Sequence, residues 1–169
     1  IANQNKVKFF AISFVNRSSD IDRVKKIANN KAFIISKIET KSAVNELKSI
    51  TSKSNALLID RGDLSRYIPI EKIPPAQEEI VKIGKSKNVP VYVATNLLET
   101  MIKENQPTRA ESQDIFSTLK QGASGLVLAA ETAIGINPVG CVKFLKKSIS
   151  VYRKFKNEKF KKNKFHLWF

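Results

Sequence analysis

AFIISKIETKSAVNELKSITSKSNALLIDRGD, residues 32–63, is the most informative stretch of the chain. It opens on an apolar, β-branched run at 32–39 that reads as a strand. At 42–52, Val44, Leu47 and Ile50 recur at helical spacing. A second apolar run, ALLID at 56–60, comes next. Strand, helix, strand with short links predicts two parallel strands, because the helix carries the chain back to the end where the first strand began. Both strands end in charge: Lys37 and Glu39 close the first, and Asp60, Arg61 and Asp63 close the second.

The pattern repeats outward from this unit. VKFFAISFV at 7–15 reads as another buried strand, and a helix is expected over 19–29. Ser19 is its expected N-cap, and Ile21, Val24 and Ile27 share one face. RGDLS at 61–65 reads as a turn. Pro69, Pro74 and Pro75 interrupt the next stretch, so a helix is expected from about Pro75 to Lys87, with Pro75 in its first turn. PVYVAT at 90–95 is the fourth strand. Thr108 and Glu111 have capping-box spacing ahead of a helix that ends at Gly122. GLVLAA at 125–130 is the fifth strand. Asn137–Pro138 opens a last helix with Val142, Leu145, Ile149 and Tyr152 as its apolar stripe. Five buried strands alternating with helices make an α/β protein with a parallel sheet. Two architectures fit, a doubly wound sheet and part of a (β/α)₈ barrel, and both bind ligands at the carboxyl ends of the strands.

Composition narrows the chemistry. The 169 residues are too few for a whole (β/α)₈ barrel, which takes about 250. No run of 18 apolar residues is present to span a membrane. A single cysteine, Cys141, leaves no internal disulfide and no cysteine zinc site. The single histidine, His166, lies near the end of the chain and argues against Ser-His or Cys-His catalysis. Any metal must therefore take oxygen ligands, which points to Mg²⁺ or Mn²⁺. The net charge of +15 is uneven, with +9 of it at 143–169. Lysine, asparagine and isoleucine are abundant throughout, so the tail reads first as a solvated, compositionally biased segment. A surface for nucleic acid or anionic lipid is the alternative.

Polar residues collect where the strand-end rule puts a site. Asn16-Arg17, Lys37 and Glu39, Asp60 to Asp63, Thr95-Asn96 and Glu131-Thr132 close the five strands in turn. Lys37 and Glu39 are two apart on a strand and so share a face. One cation and two carboxylates on one rim suit phosphoryl or enolate chemistry. The carboxylates hold a divalent metal and the lysine offsets developing oxygen charge.

At these residues the sequence resembles the pyruvate kinase family. SFV (13–15), IISKIE (34–39), RGDL (61–64), VATNLLETM (93–101), PTRAE (107–111) and ETAIGINP (131–138) occur in family order over roughly residues 7–150. RGD or KxE alone would carry little weight; the ordered set is specific. The resemblance implies a partial TIM (β/α)₈ barrel over 1–152, whose five strands correspond to strands 4–8. A basic, aromatic-containing tail occupies 153–169. It implies that Lys37 stabilises the phosphoryl group in flight and that Glu39 and Asp63 bind the metal, Mg²⁺ or Mn²⁺. Arg61, Gly62 and Asp63 would meet substrate, with backbone N–H groups of Gly62 and Asp63 facing its carboxylate. Thr95 would stand near the enol carbon, where a water-linked proton arrives. The implied reaction moves phosphoryl from phosphoenolpyruvate to ADP and gives pyruvate and ATP. Positioning and electrostatics suffice for such a transfer, so no catalytic histidine is needed. A cytoplasmic homo-oligomer is implied as well.

The sequence also departs from the family. Asp60 stands where alanine usually precedes RGD, and this extra carboxylate can bind the metal, repel substrate or face away. GDLSRY (62–67) replaces GDLG with a following glutamate. Asn96 replaces glutamine, and Ala129-Ala130-Glu131-Thr132-Ala133 replaces SGETA. The family's first three barrel strands, its nucleotide lid and its K⁺-binding region match nothing in this chain. Open sheet edges would be a liability in solution, so the chain is expected to be an N-terminally truncated piece or to be completed by another chain. The fragment alone is expected to be inactive. Two other readings stand beside the kinase. One is a barrel enzyme using pyruvate or an enolate, such as a C–C lyase. The other is a non-catalytic derivative whose tail binds nucleic acid or membrane.

Overall fold

The structure is a computed structural model that describes residues 2, 4–28 and 32–160, with side chains to residue 157. Position 29 of the first expected helix and the tail from 161 onward, with Phe165, His166, Trp168 and Phe169, lie outside the described residues. The chain divides into two compact units, one of residues 1–96 and 121–129, the other of residues 97–120 and 130 onward.

The first unit holds the sheet. Its strands are β1 (Phe9–Ile12), β2 (Phe33–Ile38), β3 (Ala56–Asp60), β4 (Val91–Ala94) and β5 (Gly125–Val127). All four neighbouring pairs are parallel, and the spatial order is β1-β2-β3-β4-β5. A doubly wound sheet reverses its strand order at a switch point. This order never reverses, so the architecture is the barrel type, five consecutive β/α steps of a partial (β/α)₈ barrel.

Helices α1 (Ser18–Ile27), α2 (Lys41–Asn45), α3 (Leu47–Lys53), α4 (Arg61–Leu64) and α5 (Ile73–Ser86) complete this unit. Alternation along β2 sends Ile34, Ser36 and Ile38 into the core, where Ile21 of α1, Leu47 and Ile50 of α3 and Ile80 of α5 join them. Even the buried Ser36 is satisfied, its hydroxyl 2.7 Å from that of Ser54. The odd-numbered residues Ile35, Lys37 and Glu39 therefore turn to the opposite face. α5 meets β4 at Gly84, where a Cβ would collide with Val91 and the Val89 carbonyl.

Several boundaries differ from the expectation, each for a local reason. The cap of α1 is Arg17, not Ser19, and the Asp20 carboxylate takes the N–H groups of Asn16 and Arg17. The expected helix at 42–52 starts one residue earlier, capped by the Thr40 side chain, and breaks at Glu46 into α2 and α3. Pro75 does lie in the first turn of α5, but a 3₁₀ turn at Ile70–Lys72 leads into it and the helix starts at Ile73. The strands are shorter than expected. β1 ends before Phe14 and β4 before Thr95, both at positive φ, and β5 stops at Val127, the partner of the last β4 residue.

The second unit contains a 3₁₀ turn at Glu99–Ile102, then α6 (Arg109–Gln121), α7 (Ala130–Ala133) and α8 (Pro138–Phe160). The Thr108–Glu111 capping box forms: the Glu111 carboxylate accepts from Thr108 N, and Thr108 Oγ1 accepts from Glu111 N. α6 ends before Gly122, whose φ of +110° needs glycine. Glu131 and Thr132 sit on α7 rather than at a strand end. α8 buries Cys141 and Leu145, and Phe116 of α6 meets Tyr152 and Phe155 edge-on. Val142, expected on that stripe, is exposed, and Cys141 takes its place. α8 runs without a break across residues 152–153.

Candidate active site

The residues given a role by the resemblance, Lys37, Glu39, Arg61, Gly62, Asp63 and Thr95, all lie in the first unit, at the carboxyl ends of β2, β3 and β4. Lys37 and Glu39 leave β2 on the same side. Lys37 Nζ is 2.5 Å from Glu39 Oε1 and 3.1 Å from Asp60 Oδ2. The Glu39 side chain is fully buried. Its Oε2 accepts the Phe14 N–H at 2.5 Å, and its Oε1 takes the Lys37 ammonium.

Burial pulls the Lys37 pKa down, but the hydrogen bonds and negative charges of Glu39 and then Asp60 outweigh it. The result lies above the ordinary value of 10.5. Lys37 is therefore a cation near neutral pH.

Asp60 ends β3 and caps α4, its Oδ1 accepting from Asp63 N at 3.3 Å. Asp63 lies within that first turn and contacts Arg66 at 3.5 Å. Carboxylate oxygens of Glu39, Asp60 and Asp63 all lie within 4.8 Å of one another. Glu39 and Asp60 share Lys37, and Asp63 contacts Arg66. Three carboxylates thus meet two cations, and the remaining negative charge is one that a divalent cation would offset. All donors are carboxylate oxygens, which are hard ligands, and the Glu39 side chain is fully buried among them. The set fits Mg²⁺ or Mn²⁺.

Thr95 and Asn96 leave β4 at φ +68° and +53°. Arg61, itself buried, fixes them: Nη2 donates to Thr95 O at 2.7 Å and Asn96 O at 3.0 Å, and Nε donates to Thr95 O at 3.2 Å. Thr95 Oγ1 accepts from Gly62 N at 2.8 Å. Its own proton faces Ala94 O at 2.6 Å and Asp60 Oδ1 at 3.3 Å.

A family model, the pyruvate kinase barrel domain, matches residues 1–142. This chain belongs to the pyruvate kinase family. Among its relatives, the pyruvate kinase of Thermotoga maritima is 44% identical over 144 residues, covering 83% of this chain and 31% of that protein. One from Agrobacterium vitis is 36% identical over 151 residues, 89% of this chain and 31% of its own. The chloroplastic pyruvate kinase isozyme G of Nicotiana tabacum is 40% identical over 144 residues, 83% of this chain and 26% of its own. The chain thus spans less than a third of each of these pyruvate kinases.

Within this pyruvate kinase barrel, sequence reasoning left the role of Asp60 open. Its signal was present, since it is a charged departure directly before RGD, but whether it faced in or away depended on the turn after β3. Glu131, read as a strand-end polar group, is buried in the second unit and accepts the Leu98 N–H at 3.0 Å. Beside it, burial and then the Glu131 charge push the Cys141 thiol up. No helix among the described residues is long and apolar enough to cross a membrane.

Proposed function

We propose that this chain supplies the metal and lysine part of the active site of a divalent-metal-dependent phosphotransferase acting in glycolysis. The reaction transfers phosphoryl from phosphoenolpyruvate to ADP and gives pyruvate and ATP. The observation that carries this reading is the meeting of Lys37, Glu39, Asp60 and Asp63 at neighbouring strand ends, with the Thr95 hydroxyl beside them. Glu39 and Asp63 would hold Mg²⁺ or Mn²⁺, which when bound neutralises and orients phosphate and enolate oxygens.

Lys37 places a permanent positive charge against the phosphoryl oxygens and offsets the charge spread over them as the group moves. It neither gives nor takes a proton. Gly62 and Asp63 offer backbone N–H groups to the substrate carboxylate, which shares them with their present partners, Thr95 Oγ1 and Asp60 Oδ1. Thr95 orders the water that brings a proton to the enol carbon. Arg61 serves the same site by fixing the Thr95 backbone. The K⁺ site and the nucleotide lid belong to parts of the family that this chain does not match. A cytoplasmic homo-oligomer goes with this reading, and nucleic-acid or membrane contact through the tail is secondary to it.

The third carboxylate favours one competing reading, a barrel enzyme that holds pyruvate as its enolate and makes or breaks a C–C bond. The whole protein with Mg²⁺, phosphoenolpyruvate and ADP separates the two. The proposal expects ATP and pyruvate in equal amounts. Metal-dependent consumption of pyruvate with no ATP formed would replace it with the lyase.

A further inference from the structure

We infer that Asp60 is a positioning residue that ties Lys37 to Thr95 through its two carboxylate oxygens, an inference that rests on the phosphotransferase reading for its kinetic consequences. β3 lies between β2 and β4 in the sheet. A side chain at the end of β3 is therefore the one placed to reach both Lys37 and Thr95. Asp60 does so. Oδ2 is 3.1 Å from Lys37 Nζ, and Oδ1 is 3.3 Å from both Thr95 Oγ1 and Asp63 N. The side chain is buried, which strengthens such contacts. Alanine, the usual family residue here, can make none of them.

The brace answers two weaknesses of the site. Lysine carries its charge on a flexible four-carbon stem. Glu39 holds the Lys37 ammonium on one side and Asp60 on another, so the charge is fixed before substrate arrives. Thr95 sits on strained backbone, and its hydroxyl has Ala94 O as a competing acceptor. Asp60 offers that hydroxyl a second acceptor on the side of the lysine and α4. Both Asp60 oxygens already have protein partners, Lys37 on one and Thr95 with the Asp63 N–H on the other. Asp60 is thereby a brace, with metal binding left to Glu39 and Asp63 as in the proposed function.

The two arms can be cut separately. Asp60→Ala removes both. Asp60→Asn keeps an acceptor for Thr95 and Asp63 and turns an amide toward the lysine. In the whole protein, Asp60→Ala should speed hydrogen exchange at the Gly62 and Asp63 amides by about tenfold or more. It should lower kcat for ATP formation by about 10–100-fold and leave KM for phosphoenolpyruvate within about threefold. Exchange of the pyruvate methyl protons with D₂O, which reports the Thr95 step, should fall as well. Asp60→Asn should keep methyl exchange within about threefold and lose kcat as the alanine variant does. Mn²⁺ affinity, read by EPR without nucleotide, should change by less than about threefold in both.

Wild-type kcat and wild-type amide exchange in Asp60→Ala would overturn the brace. So would a rise in the Mn²⁺ Kd beyond about tenfold with kcat restored by excess Mn²⁺, which would make Asp60 a metal ligand. If Asp60→Ala does not fold, the split in Asp60→Asn decides, and equal loss of both steps there overturns the inference. If the wild-type protein forms no ATP, the phosphotransferase reading fails alone, and amide exchange still decides the brace.

Discussion

Thr95 and Asn96 hold left-handed backbone in a segment where Thr95, being β-branched, is poorly suited to it. Such conformations cost about 1–3 kcal/mol each and persist only where the surroundings enforce them. Arg61 does the enforcing, through a planar fork that reaches two successive carbonyls. Lysine cannot reproduce that fork. Arg61→Lys should therefore lower unfolding stability by about 1–3 kcal/mol in urea titration. Unchanged stability would mean that the strand end holds itself. Residue-level legibility obeys the same physics. The shared face of Lys37 and Glu39 comes from the period of two along a strand, and the structure keeps it. The inward turn of Asp60 was not legible, because it arises from capping α4, which depends on the backbone after β3. Nor was the positive φ of Thr95, since side-chain type argues against it.

The start of α6 was legible in two residues. Thr108 and Glu111 promised a capping box, and Glu111 also accepts the Thr100 N–H at 2.7 Å, a contact no local spacing could reveal. Burial raises the Glu111 pKa, but the hydrogen bonds from Thr108 and Thr100 outweigh it and hold the carboxyl below its ordinary value of 4.5. The stabilisation is therefore fully present above that ordinary value and is lost as pH falls through the lower folded-state value. Glu111→Gln should cost about 1–2 kcal/mol at pH 7. The gap between the two proteins should narrow in acid, as thermal unfolding at pH 7 and near pH 3 would measure. A gap independent of pH would remove the charge from the explanation. Elements with long apolar periodicity were legible to within a few residues. Strand ends were not, because they are set by where a partner stops pairing: β5 ends with β4, and β4 ends at Thr95.

At the scale of the molecule, alternation of strands and helices fixed the class but left two windings open. Only the spatial order of the strands, which never reverses, separates a barrel segment from a doubly wound sheet. Among the described residues β1 pairs with β2 alone and β5 with β4 alone. The sheet brings residues from distant parts of the chain, Lys37, Asp60 and Thr95, onto one rim. More than half of the +15 charge belongs to other residues, on α8 and beyond it in the sequence. In the proposed reaction the rim moves a phosphoryl group with Lys37 as its fixed positive charge. The direct measurement is ATP formation from phosphoenolpyruvate and ADP by the whole protein and its Lys37→Met variant, with Mn²⁺ binding recorded for both. The variant should still bind Mn²⁺ and lose at least about 10³-fold in kcat. Normal turnover by the variant would contradict the role given to Lys37, and no ATP from the wild-type protein would contradict the phosphotransferase reading itself.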